Sequence, residues 1–142
     1  MKIGPLLAHL DELEMAYAET LRQSAERYSE EEDVFHQCLT FAVTADQAAT
    51  RLAPLRQRYR GKAEWRTVCP GHGQMLLEEL RSLYLLAHEV AATWTMALQA
   101  AKAARDAELK EVADDRYAET ETQAKWFLTK IKTGAPQALV VE

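Results

Sequence analysis

Apolar residues recur at three- and four-residue steps along most of the chain, which is the spacing of one face of an α-helix. In the first segment the recurring positions are Leu6, Leu10, Leu13, Tyr17, Leu21, Ser24 and Tyr28. The next segment repeats the pattern on Val34, Phe35, Cys38, Phe41, Ala42, Ala45, Ala49, Leu52 and Leu55. This pattern predicts two long amphipathic helices in the first half of the chain.

Glycine, proline and capping residues suggest where these helices begin and end. Pro5 suits the first turn of a helix, because an N–H at that position has no partner within the helix. Ser29 and Glu32 have the spacing of a capping box, which predicts that the second helix begins here and forms an antiparallel hairpin with the first. Pro54 is expected to kink the second helix or to end it one turn early. Residues 60–73 have the composition of a loop.

The second half of the chain contains a long stretch, residues 74–133, without glycine or proline. One helix of this length would span about 90 Å, so the stretch must fold back on itself once. Asp106 and Asp114 mark the two candidate breaks, and Asp106 is preferred because it yields two helices of similar length and can cap the second of them. The third helix would then bury Leu80, Leu83, Ala87, Val90 and Trp94. The fourth would bury Leu109, Val112, Ala113, Tyr117, Thr120, Ala124, Phe127 and Ile131, and end at Gly134.

Together these elements predict an all-α protein with an up-down-up-down antiparallel four-helix bundle and a long connection between the second and third helices. The helices are expected at about residues 5–28, 30–59, 74–104 and 106–133. An apolar tail, residues 134–142, is expected to lie against the bundle or a neighbouring subunit. The length of 142 residues and the hydrophobic content of 48% suit one domain with a full core.

Several classes of protein are disfavoured by simple sequence features. The two cysteines, Cys38 and Cys69, cannot form a disulfide framework, and this favours a reducing cytoplasm. The first residues lack the apolar core of a signal peptide. No stretch reaches about 18 uncharged apolar residues, so no membrane span is expected.

A candidate metal motif lies at the start of the second helix, where Asp33 and His36 are one turn apart. Two such side chains on one helix face are able to bind the same ion. This pair, with the number, order and length of the predicted helices, resembles the ferritin-like superfamily, whose di-iron members carry Glu-x-x-His on two helices. Here Asp replaces Glu and a second Glu-x-x-His is absent, so a complete di-iron site is not expected. The tail, from Lys125 onward, is also similar to uncharacterised bacterial helical proteins, which implies no particular activity.

The resemblance implies, as an alternative, a partial site for Fe, Mn or Zn between the second, third and fourth helices. Its candidate ligands are Asp33, His36, His88, Glu89 and Glu121. A simpler interpretation is that the histidines lie at the surface and that the acidic residues at 30–33 are stabilised by the positive end of the helix dipole. On that interpretation the protein binds no cofactor and has no catalytic residues.

Charge is unevenly distributed within a chain of net charge -5. Acidic residues concentrate at 26–33, and basic residues concentrate at 51–66. The predicted topology places these segments at opposite ends of the bundle, with Lys130 and Lys132 joining the basic end. That end would form a patch for an anion or a partner, made of Arg56, Arg58, Arg60, Lys62 and Arg66. Its small size and the acidic balance of the chain argue against nucleic acid.

The third helix carries more apolar residues than one core-facing stripe requires. Leu85, Ala92 and Met96 form an additional line outside that stripe. This line predicts a homodimer or larger assembly that packs through the third helix. The alternative is that the loop carrying Trp65 and Val68 covers the line within one chain. The function expected is that of a non-enzymatic cytoplasmic protein acting through self-association or partner binding.

Overall fold

The computed structural model describes residues 2–140, and within that range the chain forms four helices and no strand. The helices are α1 (Ile3–Arg27), α2 (Glu32–Arg58), α3 (Leu76–Ala104) and α4 (Ala107–Leu139). They pack around one hydrophobic core. The prediction of an all-α four-helix fold is therefore confirmed.

The direction of α3 differs from the predicted topology. α1 packs against α2 and α3, and α4 packs against α3 and α2. The end of α1 meets the start of α3, where Ser24 hydrogen-bonds Glu79, and further along Glu14 of α1 meets Trp94 of α3. α1 and α3 are therefore antiparallel, and the order is up-down-down-up. The predicted up-down-up-down order is wrong.

A crossover segment, residues 59–75, makes this order possible. It leaves α2 beside the start of α1, where a Cβ on Gly4 would lie 2.2 Å from the backbone oxygen of Arg60. It reaches α3 beside the end of α1, where Arg27 donates a hydrogen bond to the Gly73 carbonyl at 2.9 Å. An extended chain covers roughly 3.3 Å per residue, so a segment of this length can run along the whole of α1.

The break between α3 and α4 lies at Asp106, as predicted. Its side chain accepts a hydrogen bond from the Leu109 backbone N–H at 3.0 Å, which is the geometry of an N-cap. The preceding residue, Arg105, ends α3 in the left-handed backbone region with φ of 56°. Tyr59 also donates a hydrogen bond to the Asp106 carboxylate, at 2.6 Å, and ties the turn to the end of α2.

The predicted cap at the start of α2 is wrong. Ser29 does not cap α2: the residue before the helix is Glu31, and no side chain makes a capping hydrogen bond there. Glu31 instead donates its backbone N–H to the Tyr28 carbonyl, so the connection is a tight turn rather than a capping box. α2 continues past Pro54 to Arg58, because a proline four residues from the end removes only one hydrogen bond of the helix.

The C-terminal segment belongs to α4. The helix passes Gly134 and Pro136 and ends at Leu139, so the predicted end at Gly134 is wrong. Pro136 lacks a backbone N–H and therefore removes one hydrogen bond from the last turns of the helix. Gln137 and Ala138 line an apolar groove together with the first turn of α3. Leu139 and Val140 are exposed, and the remaining two residues of the predicted tail lie outside the described range. The expectation that the whole segment lies against the bundle remains a prediction.

The predicted core is largely correct. The expected residues of α3 are buried: Leu80, Leu83, Ala87, Val90 and Trp94. On α4, Tyr117 and Ile131 are only half-buried. Arg116, the residue before Tyr117, is buried in its place. Within residues 2–140 no helix is long and apolar enough to cross a membrane.

Candidate functional site

The centre of the bundle contains a group of polar side chains contributed by all four helices. We call this group the central polar cluster: Glu14 and Tyr17 of α1, Thr44 of α2, Trp94 of α3, and Arg116 and Gln123 of α4. Five of these residues are buried, and Thr44 is half-buried. Buried polar groups in a folded protein need partners, and the contacts below supply them.

Glu14 is the negatively charged member of the cluster. Arg116 contacts both of its carboxylate oxygens, with Nε 2.6 Å from Oε2 and Nη2 2.8 Å from Oε1. Trp94 donates its indole N–H to Oε2 at 2.9 Å. Burial raises the pKa of Glu14, and the contacts with Arg116 and Trp94 oppose that rise. The carboxylate is therefore held by one guanidinium and one neutral donor.

The rest of the central polar cluster closes on itself. Thr44 accepts hydrogen bonds at its hydroxyl oxygen from Arg116 Nη1 and Gln123 Nε2, both at 2.9 Å. Tyr17 donates its hydroxyl to Gln123 Oε1 at 2.7 Å. The members therefore serve as hydrogen-bond partners for one another, and this joins the helices. No buried side-chain nitrogen or oxygen of the cluster lacks a partner.

A second group, the end cluster, surrounds the buried carboxylate of Glu79. Its oxygens accept hydrogen bonds from the Ser24 hydroxyl, the His72 Nδ1 and the Gly73 backbone N–H, each at 2.7 Å. Burial alone would raise the pKa of Glu79, but these hydrogen bonds and the positive character of His72 hold it below its usual value. The end cluster fixes the last part of the crossover segment to α1 and α3.

The structure does not bring the candidate metal ligands of α2 together with those of α3. Asp33 forms an ion pair with Lys130 of α4. His36 is exposed, with its ring 5.2 Å from that of Phe35. Both residues line an open hollow on the surface between α2 and α4, which Trp126 also lines.

The other three candidate ligands lie elsewhere. His88 is exposed on α3 and its Nε2 lies 3.0 Å from the Tyr84 hydroxyl. Glu89 is half-buried, and burial raises its pKa while the nearby His9 opposes the rise. Glu121 is half-buried on α4. In the range that the structure describes, no three His, Cys, Asp or Glu residues are grouped so that they would hold a metal ion. The residues present therefore do not fit the predicted Fe, Mn or Zn site.

Ion pairs reduce the predicted basic patch. Arg56 pairs with Asp11 at 2.8 Å, and Arg58 pairs with Asp106 at 3.1 Å. The three remaining members, Arg60, Lys62 and Arg66, are exposed on the crossover segment.

The placement of the C-terminal lysines also differs from the prediction. Lys130 contacts Asp33 at the start of α2, and Lys132 lies two residues further along α4. They are therefore at the acidic end of the bundle, near the α1–α2 turn. The sequence placed them wrongly because the direction of α4 follows from that of α3, which was itself predicted incorrectly.

The additional line of α3, called the outer line below, remains at the surface. Leu85 is 42% exposed, Met96 is 44% exposed, and Ala92 between them is also exposed. The crossover segment lies to one side of this line: Gly71 accepts a hydrogen bond from Ser82, and Trp65 packs edge-on against His9 of α1. The alternative prediction required the loop to cover this line, and the loop does not cover it.

The sequence matches no protein-family model, and no curated protein is significantly similar to it.

Sequence reasoning did not identify the buried polar residues, although a signal was present. Glu14 lies four positions after Leu10 and three before Tyr17, and so falls on the predicted apolar face of α1. Arg116 lies four positions after Val112 and four before Thr120 on α4. A charged residue inside an apolar stripe on each of two helices predicts an internal ion pair.

Proposed function

We propose that this chain is a non-enzymatic helical-bundle protein that acts through self-association, as a homodimer formed by the outer line of α3. The outer line is Leu85, Ala92 and Met96. The observation that carries the proposal is the exposure of Leu85 and Met96 on the side of α3 that faces away from the core. A second copy that covered these side chains would remove their apolar surface from water.

The surroundings of the outer line support an interface. Trp65 and Val68 of the crossover segment are also exposed, at 50% and 62%. The segment contacts α3, where the Ser82 hydroxyl donates a hydrogen bond to the Gly71 carbonyl at 3.0 Å. A partner on α3 would therefore find further apolar surface at its flank. Two-fold pairing is the commonest assembly of soluble proteins, so a second copy is the occupant we propose.

We also propose a ferritin-like arrangement. One long crossover between the second and third helices, with the fourth antiparallel to the third, is the connection by which ferritin-like bundles differ from simple up-down bundles. The chemistry differs from that of the di-iron members, because the buried carboxylate Glu14 is bound by the guanidinium of Arg116. The proposed role is therefore binding rather than metal-dependent catalysis.

A cytoplasmic location is part of the proposal. Both thiols are free, with Cys38 buried and Cys69 exposed. Free thiols in a folded domain are typical of a reducing compartment.

Light scattering on the purified chain tests self-association. We expect twice the chain mass of 16.1 kDa for the native protein and 16.1 kDa for the double variant Leu85→Glu, Met96→Glu. The matched control is Met15→Glu with Val43→Glu, which places the same charges on exposed apolar residues of α1 and α2. The control is expected to remain dimeric. A native protein that is monomeric at micromolar concentration, or a control that dissociates equally, would contradict the proposed interface.

A further inference from the structure

His72 in the crossover segment lies between two oxygen atoms. Its Nδ1 is 2.7 Å from Oε2 of Glu79, and its Nε2 is 2.7 Å from Oε1 of Gln23. The orientation of the Gln23 amide is set by its other end, because Nε2 donates a hydrogen bond to Glu19 at 3.2 Å. Both ring nitrogens of His72 therefore face acceptors.

A neutral imidazole has one N–H and is unable to donate to both oxygens. Two donors are present only in the imidazolium form, so the contacts define a positively charged His72. The buried carboxylate of Glu79 is the group that this charge faces. A charged donor and a carboxylate form a stronger hydrogen bond than a neutral pair.

Charged and titratable groups from three helices surround this contact. On α1, Glu19 is bonded to Gln23, which in turn contacts His72. Arg27 at the end of α1 and Tyr28 just after it donate hydrogen bonds to the Gly73 carbonyl at 2.9 and 3.2 Å. α3 contributes Glu79 and also Glu78, which accepts from the backbone N–H of Gln74 at 2.9 Å.

α2 contributes the buried thiol of Cys38. Burial and the nearby charge of Glu79 raise the pKa of this thiol to about 12, so it stays neutral at ordinary pH. Glu79 stays ionised down to acidic pH because its pKa is lowered. Histidine is the side-chain type that exchanges a proton near neutral pH, and His72 is the histidine at this contact.

We infer that protonated His72 is a pH-sensitive clamp that holds the C-terminal end of the crossover segment, residues 71–74, against α1 and α3. When His72 loses its proton, the imidazole keeps a donor for one oxygen only and the contact with the other is lost. The contacts made by Arg27, Tyr28 and Ser82 remain. The segment is thus loosened at alkaline pH while the bundle stays folded.

Amide hydrogen exchange of Gly73 and Gln74, followed by NMR, tests the clamp. These two backbone N–H groups donate to Glu79 and Glu78, so they report directly on the segment. After correction for the intrinsic effect of pH, we expect their exchange to be about tenfold faster at about pH 8.5 than at about pH 5.5. This is the change expected when one hydrogen bond to a charged group is lost. Amides around Val90 in α3 should show no such change.

Two variants separate the clamp from a general effect of pH. His72→Gln keeps a polar side chain without a titrating proton, and its Gly73 exchange should be fast at both pH values. His88→Gln removes an exposed histidine that lies outside the crossover segment, and it should behave like the native protein. Equal protection of native Gly73 at both pH values, or an unchanged pH effect in His72→Gln, would overturn the inference.

Discussion

The molecule holds two buried carboxylates in different ways. Glu14 lies at the centre of the bundle, where a guanidinium from the diagonally opposite helix and an indole N–H are its partners. Glu79 lies near one end, where a hydroxyl, an imidazole and a backbone N–H are its partners. The pKa of Glu14 is raised by burial, whereas the pKa of Glu79 is lowered despite burial.

The difference shows what each carboxylate does for the fold. Arg116 reaches Glu14 across the core and so links helices that do not pack directly against each other. Glu79 instead links a loop to a helix, because two of its three donors belong to the crossover segment. The central polar cluster therefore stabilises the relation among helices, and the end cluster stabilises the path of the crossover.

The strongest test of this comparison is Arg116→Met. The substitution keeps an unbranched side chain but leaves the Glu14 carboxylate buried without its charged partner. We expect a loss of about 3–5 kcal/mol in the free energy of unfolding, measured with urea at neutral pH. A loss below about 1 kcal/mol would mean that Glu14 reaches water.

A double variant, Glu14→Leu with Arg116→Met, is the control for this experiment. Replacing both charges by apolar side chains removes the uncompensated carboxylate, and buried ion pairs replaced in this way often lose little stability. We expect the double variant to recover most of the loss. If it is as unstable as Arg116→Met, packing rather than charge explains the effect.

The second test is Glu79→Gln at the end cluster. A lowered carboxylate pKa means that the ionised form stabilises the fold above the usual value of 4.5, and that this contribution is lost as pH falls through the lowered pKa. We therefore expect Glu79→Gln to lower the free energy of unfolding by about 1.5–3 kcal/mol at neutral pH. The difference from the native protein should shrink below about pH 4.

Glu78→Gln is the matched control, because Glu78 is the exposed neighbour on the same helix. Urea unfolding of both variants at neutral and acidic pH gives the comparison. A Glu79→Gln loss that is the same at both pH values would show that the carboxylate is not ionised in the native protein.

These two clusters also show how far the sequence predicts the structure. The apolar spacing and the cap at Asp106 located the helices and most of the core, since both depend on neighbours a few residues away. The direction of α3 depends on where the crossover segment ends. That position is fixed by contacts such as Ser24 with Glu79 and Arg27 with Gly73, which join residues 55 and 46 positions apart and leave no local pattern.

The candidate site was predicted less well than the fold for a related reason. The spacing of Asp33 and His36 on one helix suggests two metal ligands, but a metal site also needs ligands from other helices at the same height along the bundle. Because the predicted directions of the third and fourth helices were wrong, the heights of His88 and Glu121 along the bundle were predicted wrongly as well. The charged residues that do meet, Glu14 and Arg116, were recognisable as interruptions of apolar stripes, although their pairing across the core required the correct direction of α4.

The smallest expected effect belongs to Tyr17→Phe, which removes a neutral contact from the central polar cluster. Tyr17 is fully buried and donates to Gln123 at 2.7 Å, so its loss leaves Gln123 Oε1 without that donor. Burial raises the pKa of the Tyr17 phenol, so the group stays neutral over the whole range in which carboxylates titrate. We expect a loss of about 1 kcal/mol in the free energy of unfolding.

This loss should be equal at neutral pH and at about pH 4, in contrast to that of Glu79→Gln, because no proton is gained or lost at the altered contact. Urea unfolding of native protein and variant at both pH values measures it. A loss that changes with pH would show that the Tyr17 contact is coupled to the ionisation of Glu14. In that case the centre of the bundle would respond to pH as the end cluster does, and the distinction between the two buried carboxylates would be one of degree.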